Sequence, residues 1–220
     1  MTRICDLLAK GGEEVRMMTK FPTLFRDVAC ETVKYTRYFP ERAGFRKRSY
    51  ATRRHIPETT QWQDLLINYQ LSPDETFFFP WKASPNRFGL ESYAVVSAPH
   101  DMFGFKPCRT NWEAMDADLA AYRASGYQVV MLGKDDPIHK LKNIDVNLVG
   151  STEPEDVADL VAGAAHCFGQ IGWMLPFAEG LRRPATIYFS KGMKEMGDLE
   201  RTITPEKLIC NHNLTRGLWI

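Results

Sequence analysis

The chain has 220 residues, 44% of them apolar and 12% aromatic, which suits one large core or two small ones and excludes wholesale disorder. With 28 basic and 27 acidic residues its formal charge is +1, which excludes a molecule-wide field toward nucleic acid or anionic lipid. Five dispersed cysteines, Cys5, Cys30, Cys108, Cys167 and Cys210, an acid as early as Asp6, and no apolar window near the roughly 18 residues of a membrane span lead us to expect a cytoplasmic protein, soluble or peripheral to a membrane.

In chain order, Ile4, Leu7 and Leu8 predict a short helix ended by Gly11-Gly12, and Val15 to Thr19 a strand. Thr23 to Lys34 reads as helical. Between Arg37 and Arg54 seven basic residues face the single acid Glu41, in what reads as a long loop. Trp62, Leu65, Leu66 and Tyr69 mark another helix, and Thr76 to Phe79 another strand. The composition shifts at Pro80 to Arg87, which sets the expected domain boundary at 88/89.

From Tyr93 the pattern is regular. Tyr93 to Ser97 predicts a buried strand, and a loop follows. Thr110 and Glu113 form a candidate capping box for a helix whose apolar face is Trp112, Met115, Leu119 and Tyr122, with Gly126 as its stop. Tyr127 to Leu132 is the next strand, which completes a βαβ unit. Val146 to Val149 is a strand, Thr152 to Glu155 a second capping box with Pro154 in the first turn, and Val157, Leu160, Val161 and Ala164 the inward stripe. His166 to Gly169 predicts a strand, Trp173 to Leu181 a helix, and Ala185 to Phe189 a strand. Strands alternating with helices mean a parallel sheet covered on both faces. The tail, 193–220, is expected to pack back on the N-terminal half.

In open parallel sheets ligands bind beyond the carboxyl ends of the strands. Two loops hold that position. One is Pro99 to Arg109, where Lys106 and Arg109 can meet a diphosphate as a point charge and a bidentate fork, or stand as two solvated cations. The other, Gly169-Gln170-Ile171-Gly172, is a turn into a helix where the backbone can approach a phosphate, or a tight βα turn that needs no ligand. Glu179 can accept ribose hydroxyls or pair with Arg182 or Arg183 at helical spacing. No His or Cys pair has finger-like spacing, so no structural zinc is expected.

The stretch Tyr93 to Phe189 resembles the C-terminal domain of glycosyltransferase family 9, the ADP-heptose:lipopolysaccharide heptosyltransferases. The likeness rests on Lys106 and Trp112, Gly126-Tyr127-Gln128-Val129-Val130-Met131-Leu132-Gly133, Asp159 to Ala164, and Ala178-Glu179-Gly180-Leu181-Arg182-Arg183-Pro184. It implies an α/β fold of the two-domain GT-B type: a nucleotide-sugar-binding Rossmann-like domain at 89–192 and a smaller, incomplete α/β acceptor-side half at 1–88. It also implies transfer of a sugar, heptose in the family, from a nucleoside-diphosphate donor to an acceptor hydroxyl, without cofactor or catalytic metal.

Carried onto this sequence, the resemblance gives a donor site of Lys106, Arg109, Thr110, Asp135, Gln170, Ile171, Gly172 and Glu179. The diphosphate lies at Lys106 and the Gln170 turn, the base near Lys134-Asp135-Asp136, and the ribose at Glu179. Family members carry Asp-Ser/Thr-Gly and then His where this chain has Gln170-Ile171-Gly172-Trp173. They also open with a strand and a Gly-Asp loop that supplies the general base. Here Ile4 to Lys10 already reads as the first helix, so no catalytic residue is assigned; Asp6 is the nearest carboxylate.

Two other readings stand beside transfer. One is a noncatalytic nucleotide-sugar-binding relative. The other is a transferase acting on modified nucleic acid through the Arg37 to Arg54 segment, where Tyr38, Phe39, Phe45 and Tyr50 interleave the cations. For a glycan or other anionic acceptor, Arg46, Lys47 and Arg48 are the expected contacts.

Overall fold

The computed structural model describes residues 2–34, 59–84, 86–98, 102–103, 106–107, 112–134, 141–189 and 205–219. The basic stretch 37–54, with Arg46, Lys47 and Arg48, lies outside them, as do Arg109, Thr110 and Asp135. Two compact units divide between Lys82 and Ala83, inside the expected stretch but earlier than 88/89. The shift has a local cause. Ser84 donates its N–H to Asp159 at 2.9 Å, Arg87 pairs with Asp156 at 2.9 Å, and Phe88 and Leu90 pack against the C-terminal core.

In the N-terminal unit, α1 (Thr2–Lys10) and the strand β1 (Arg16–Thr19) form as expected. The helix expected over 23–34 does not. Pro22–Phe25 makes one 3-10 turn, and Glu31–Lys34 forms β2, parallel to β1 in the register Arg16↔Glu31 to Thr19↔Lys34. Thr32 and Val33 are β-branched, and pairing with a distant strand outweighs whatever local helical preference the segment has. Helix α2 (Gln61–Asn68) starts at Thr60, which exchanges hydrogen bonds with Gln63, and buries Trp62, Leu65 and Leu66.

The strand expected at 76–79 is absent. Its rings go to side chains instead of a ladder: Phe77 meets Trp62 at 4.9 Å, the Arg3 guanidinium stands 4.0 Å over Phe78, and Phe79 meets Trp81 at 5.5 Å.

The C-terminal unit contains β3 (Tyr93–Ser97), a hairpin of β4 (Met102–Phe103) and β5 (Lys106–Pro107), α3 (Trp112–Ala124), β6 (Gln128–Leu132), β7 (Val146–Asn147) and α4 (Pro154–Gly163). It continues with β8 (His166–Gln170), α5 (Met174–Gly180), β9 (Ala185–Phe189), α6 (Pro205–Leu208) and β10 (Thr215–Trp219). Six strands pair in the order β10-β9-β8-β3-β6-β7, every neighbour parallel.

Alternation along the strands builds a core on each face. Tyr93 and Val95 with Val130 and Leu132 join Leu160, Met174, Leu175 and Ile209 on one side. Ala94 and Val96 with Val129 and Met131 join Met115 and Leu119 of α3 on the other. The sheet is therefore covered on both faces, as the sequence predicts.

Three details correct the sequence reading. Helix α4 starts one residue late: Glu153, not Thr152, precedes it, and the Glu153 N–H donates to Asp156 at 2.9 Å, while Pro154 does take the first helical position. The 99–109 segment is not wholly loop, since β4 and β5 pair antiparallel with Phe103 opposite Lys106. The described part of the tail, 205–219, joins the C-terminal sheet. It supplies α6 and the edge strand β10, in register from Thr215↔Ala185 to Trp219↔Phe189.

Candidate donor site

Strand order decides where a ligand fits this unit. From β3 the chain moves one way to β6 and β7, then crosses back to lay β8 on the other side of β3 before β9 and β10. The direction of winding thus reverses between β3 and β8. At such a point the loops leaving two adjacent parallel strands diverge to opposite faces and open a crevice at the carboxyl ends. Those are the two loops singled out in the sequence: the segment after Ser97 and the turn after Gln170.

The floor of the crevice is tightly closed. Val95 lies opposite Cys167 and Val96 opposite Phe168, so Ser97 and Gly169 are next in line at the ends of β3 and β8. A Cβ on Gly169 would stand 2.7 Å from the Ser97 hydroxyl oxygen and 2.9 Å from Cβ of Met174, so only glycine lets β8, β3 and the start of α5 approach this closely. Ser97 is buried, a polar group at the end of a strand otherwise apolar. Sequence reasoning passed over it; the signal was a small polar residue that closes the run Tyr93 to Val96.

Above this floor the turn opens. Gln170 is half-buried, Ile171 packs its side chain toward the core, and Gly172 is exposed, with nothing within 4 Å of an added Cβ. Trp173 precedes α5 and makes no side-chain cap to it. On the β3 side the backbone of Lys106 lies in β5, paired with Phe103.

Glu179 has backbone partners within the unit. It is 3% exposed, and its carboxylate accepts the N–H of Cys210 at 3.0 Å on each oxygen and the N–H of Asn211 at 2.9 Å. Its carboxylate ties the segment after α6 to the end of α5. Two neighbouring N–H groups at the end of a short helix need an acceptor when buried, and Glu179 supplies it.

Two other titratable groups of the unit, His166 and Tyr188, are structural in their surroundings. Burial holds His166 down at about 4, against an opposing pull from Asp118, and its Nε2 lies 2.9 Å from the Thr186 hydroxyl. Burial, with Asp118 accepting the phenol proton at 2.5 Å, pushes Tyr188 far above the ordinary phenol range. In the N-terminal unit Asp6, the carboxylate nearest a base in sequence, is 7% exposed and pairs with Arg3 at 2.5 Å and Lys10 at 2.9 Å.

Among the described residues no three His, Cys, Asp or Glu side chains are grouped to hold a metal ion, and no helix is long and apolar enough to cross a membrane.

No family profile matches the sequence, and no curated protein does. Solved structures do match. TibC of enterotoxigenic E. coli, a dodecameric iron-containing heptosyltransferase solved with ADP-D-beta-D-heptose, aligns over 83% of this chain and 52% of its own at 10% identity, with a TM-score of 0.58. E. coli ADP-heptose LPS heptosyltransferase II aligns over 73% and 54% at 15% identity and 0.52. A family 9 glycosyltransferase from Veillonella parvula aligns over 94% and 56% at 10% identity and 0.50. The chain therefore spans about half the length of these enzymes. It is an α/β protein with the GT-B type of fold that they share.

Proposed function

We propose that the C-terminal unit binds a nucleoside-diphosphate sugar in the crevice between β3 and β8, and that the protein acts as a glycosyltransferase toward an acceptor hydroxyl. The observation that carries this reading is the reversal of winding between β3 and β8, at which the chain leaving Ser97 and the Gln170 to Gly172 turn start from the same end of one sheet. Support also comes from the shared fold, one example of which was solved with ADP-D-beta-D-heptose.

In this reading Lys106, Arg109 and Thr110 serve the diphosphate from the β3 side and Gln170, Ile171 and Gly172 from the β8 side, while Asp135 stands by the base. Glu179 is left out, because its carboxylate is committed to Cys210 and Asn211. Positive charge and oriented N–H groups at the diphosphate stabilise the charge that develops on the leaving group as the glycosidic bond breaks. The acceptor belongs to the N-terminal half, with Arg46, Lys47 and Arg48 as candidate contacts.

Calorimetric titration with a panel of nucleotide sugars, run beside hydrolysis and transfer assays, tests the reading. Binding with turnover supports it. Binding without turnover selects the noncatalytic alternative, which the Asp6 pairing with Arg3 and Lys10 favours, and the absence of any binding refutes both.

A further inference from the structure

We infer that Trp173 is a ring-stacking residue of this crevice: its indole receives a ring carried on the bound diphosphate, the nucleobase or the transferred sugar. The inference rests on the donor-site reading and adds to it a residue with no part in holding phosphate.

Trp173 is one of two large apolar side chains left exposed among the described residues, at 36%; the other, Phe21, belongs to the N-terminal unit. Burial of an indole is among the more favourable transfers a side chain can make. The next two residues take that course, Met174 at 1% and Leu175 at 6% exposed. The start of α5 thus buries Met174 and Leu175 and leaves the tryptophan before them partly exposed.

Its place is specific. Trp173 follows Gln170-Ile171-Gly172 directly, at the carboxyl end of β8, beside the crevice where the winding reverses. Gly172 leaves the approach open on that side, with nothing within 4 Å of an added Cβ. One turn along α5, Phe177 meets the indole edge-to-face at 5.9 Å and 87°. That contact orients the ring while the residue keeps its exposure, as a stacking platform requires. A nucleobase offers a π face, and a pyranose offers a face of C–H groups; both suit an indole beside a diphosphate site, and base stacking on aromatics tolerates many bases.

The test compares wild type, W173F and W173A in calorimetric titrations with ADP, UDP, ADP-glucose, UDP-glucose and inorganic pyrophosphate, with thermal melts as a check on folding. W173A is expected to weaken the ring-bearing ligands about tenfold and leave pyrophosphate unchanged, with W173F close to wild type. Ligand binding should quench tryptophan fluorescence in wild type and much less in W173F.

If ADP and ADP-glucose lose affinity alike, the nucleoside is the stacked ring; if only the sugar-bearing ligands lose it, the transferred sugar is. Equal loss for pyrophosphate overturns the inference, since it marks damage to the turn. Unchanged affinity in W173A overturns it and leaves the donor-site reading standing, whereas no binding by wild type brings down both.

Discussion

Replacing Glu179 by alanine separates the two roles open to it, ribose acceptor and internal anchor. The carboxylate accepts the N–H of Cys210 at 3.0 Å on both oxygens and that of Asn211 at 2.9 Å, and the residue is 3% exposed. Alanine removes the acceptor and leaves two backbone donors without their partner. Each buried orphan costs about 1–3 kcal/mol, so the expected loss is roughly 3 kcal/mol, with water entry keeping it below the full sum. Glutamine keeps one carbonyl oxygen but turns an NH2 toward the N–H donors, for an expected loss of about 1–2 kcal/mol.

Urea unfolding measures the total, and amide hydrogen exchange locates it. Protection should fall first over 205–219, the segment that carries α6 and β10, and less in β3 and β6. A Glu179→Ala protein that unfolds within about 0.5 kcal/mol of wild type and loses only nucleotide affinity would refute the anchor and restore the ribose role.

Three further outcomes follow from the same geometry. Gly169→Ala should lower stability by about 1–3 kcal/mol in urea unfolding, because its Cβ would lie 2.7 Å from the Ser97 oxygen and 2.9 Å from Cβ of Met174. Thr215→Val should raise stability by about 1 kcal/mol, since the Thr215 hydroxyl is buried without a hydrogen-bond partner at 2% exposure and valine fills the same shape.

His166 should make stability fall as acid is added. Burial holds its folded value at about 4 against 6.5, so between those limits the unfolded chain binds the proton and the folded one does not. Its contribution is complete above about pH 6.5 and lost toward pH 4; a His166→Phe variant should show a shallower decline across that window.

The legible parts of the fold were those in which local pattern and tertiary pairing agree. Buried strands such as Tyr93 to Ser97 and Ala185 to Phe189 carry near-continuous apolar runs, broken only by Ser97 and Thr186, because both sheet faces are covered, and that announces a parallel sheet. The β3 and β8 loops could be placed because topology, once the alternation is read, fixes the carboxyl end.

What escaped depends on distant partners. Thr215-Arg216-Gly217-Leu218-Trp219 has a charge and a glycine in its middle and reads as a tail; it is a strand because the open edge of β9 accepts it. The backbone partners of Glu179 were hidden for a related reason. The spacing of Glu179 to Arg182 and Arg183 is visible in the sequence, whereas the N–H groups of Cys210 and Asn211 are thirty-one and thirty-two positions away and come to it only through α6. Thr23 to Lys34 failed likewise, with Thr32 and Val33 committed to β1.

The most direct measurement is a crystal structure of the protein soaked with a nucleoside-diphosphate sugar. The account predicts the diphosphate between the segment that follows Ser97 and the Gln170 to Gly172 turn, at the carboxyl ends of β3 and β8. A diphosphate bound at the amino ends of the strands, or on a face of the sheet away from that junction, would contradict it.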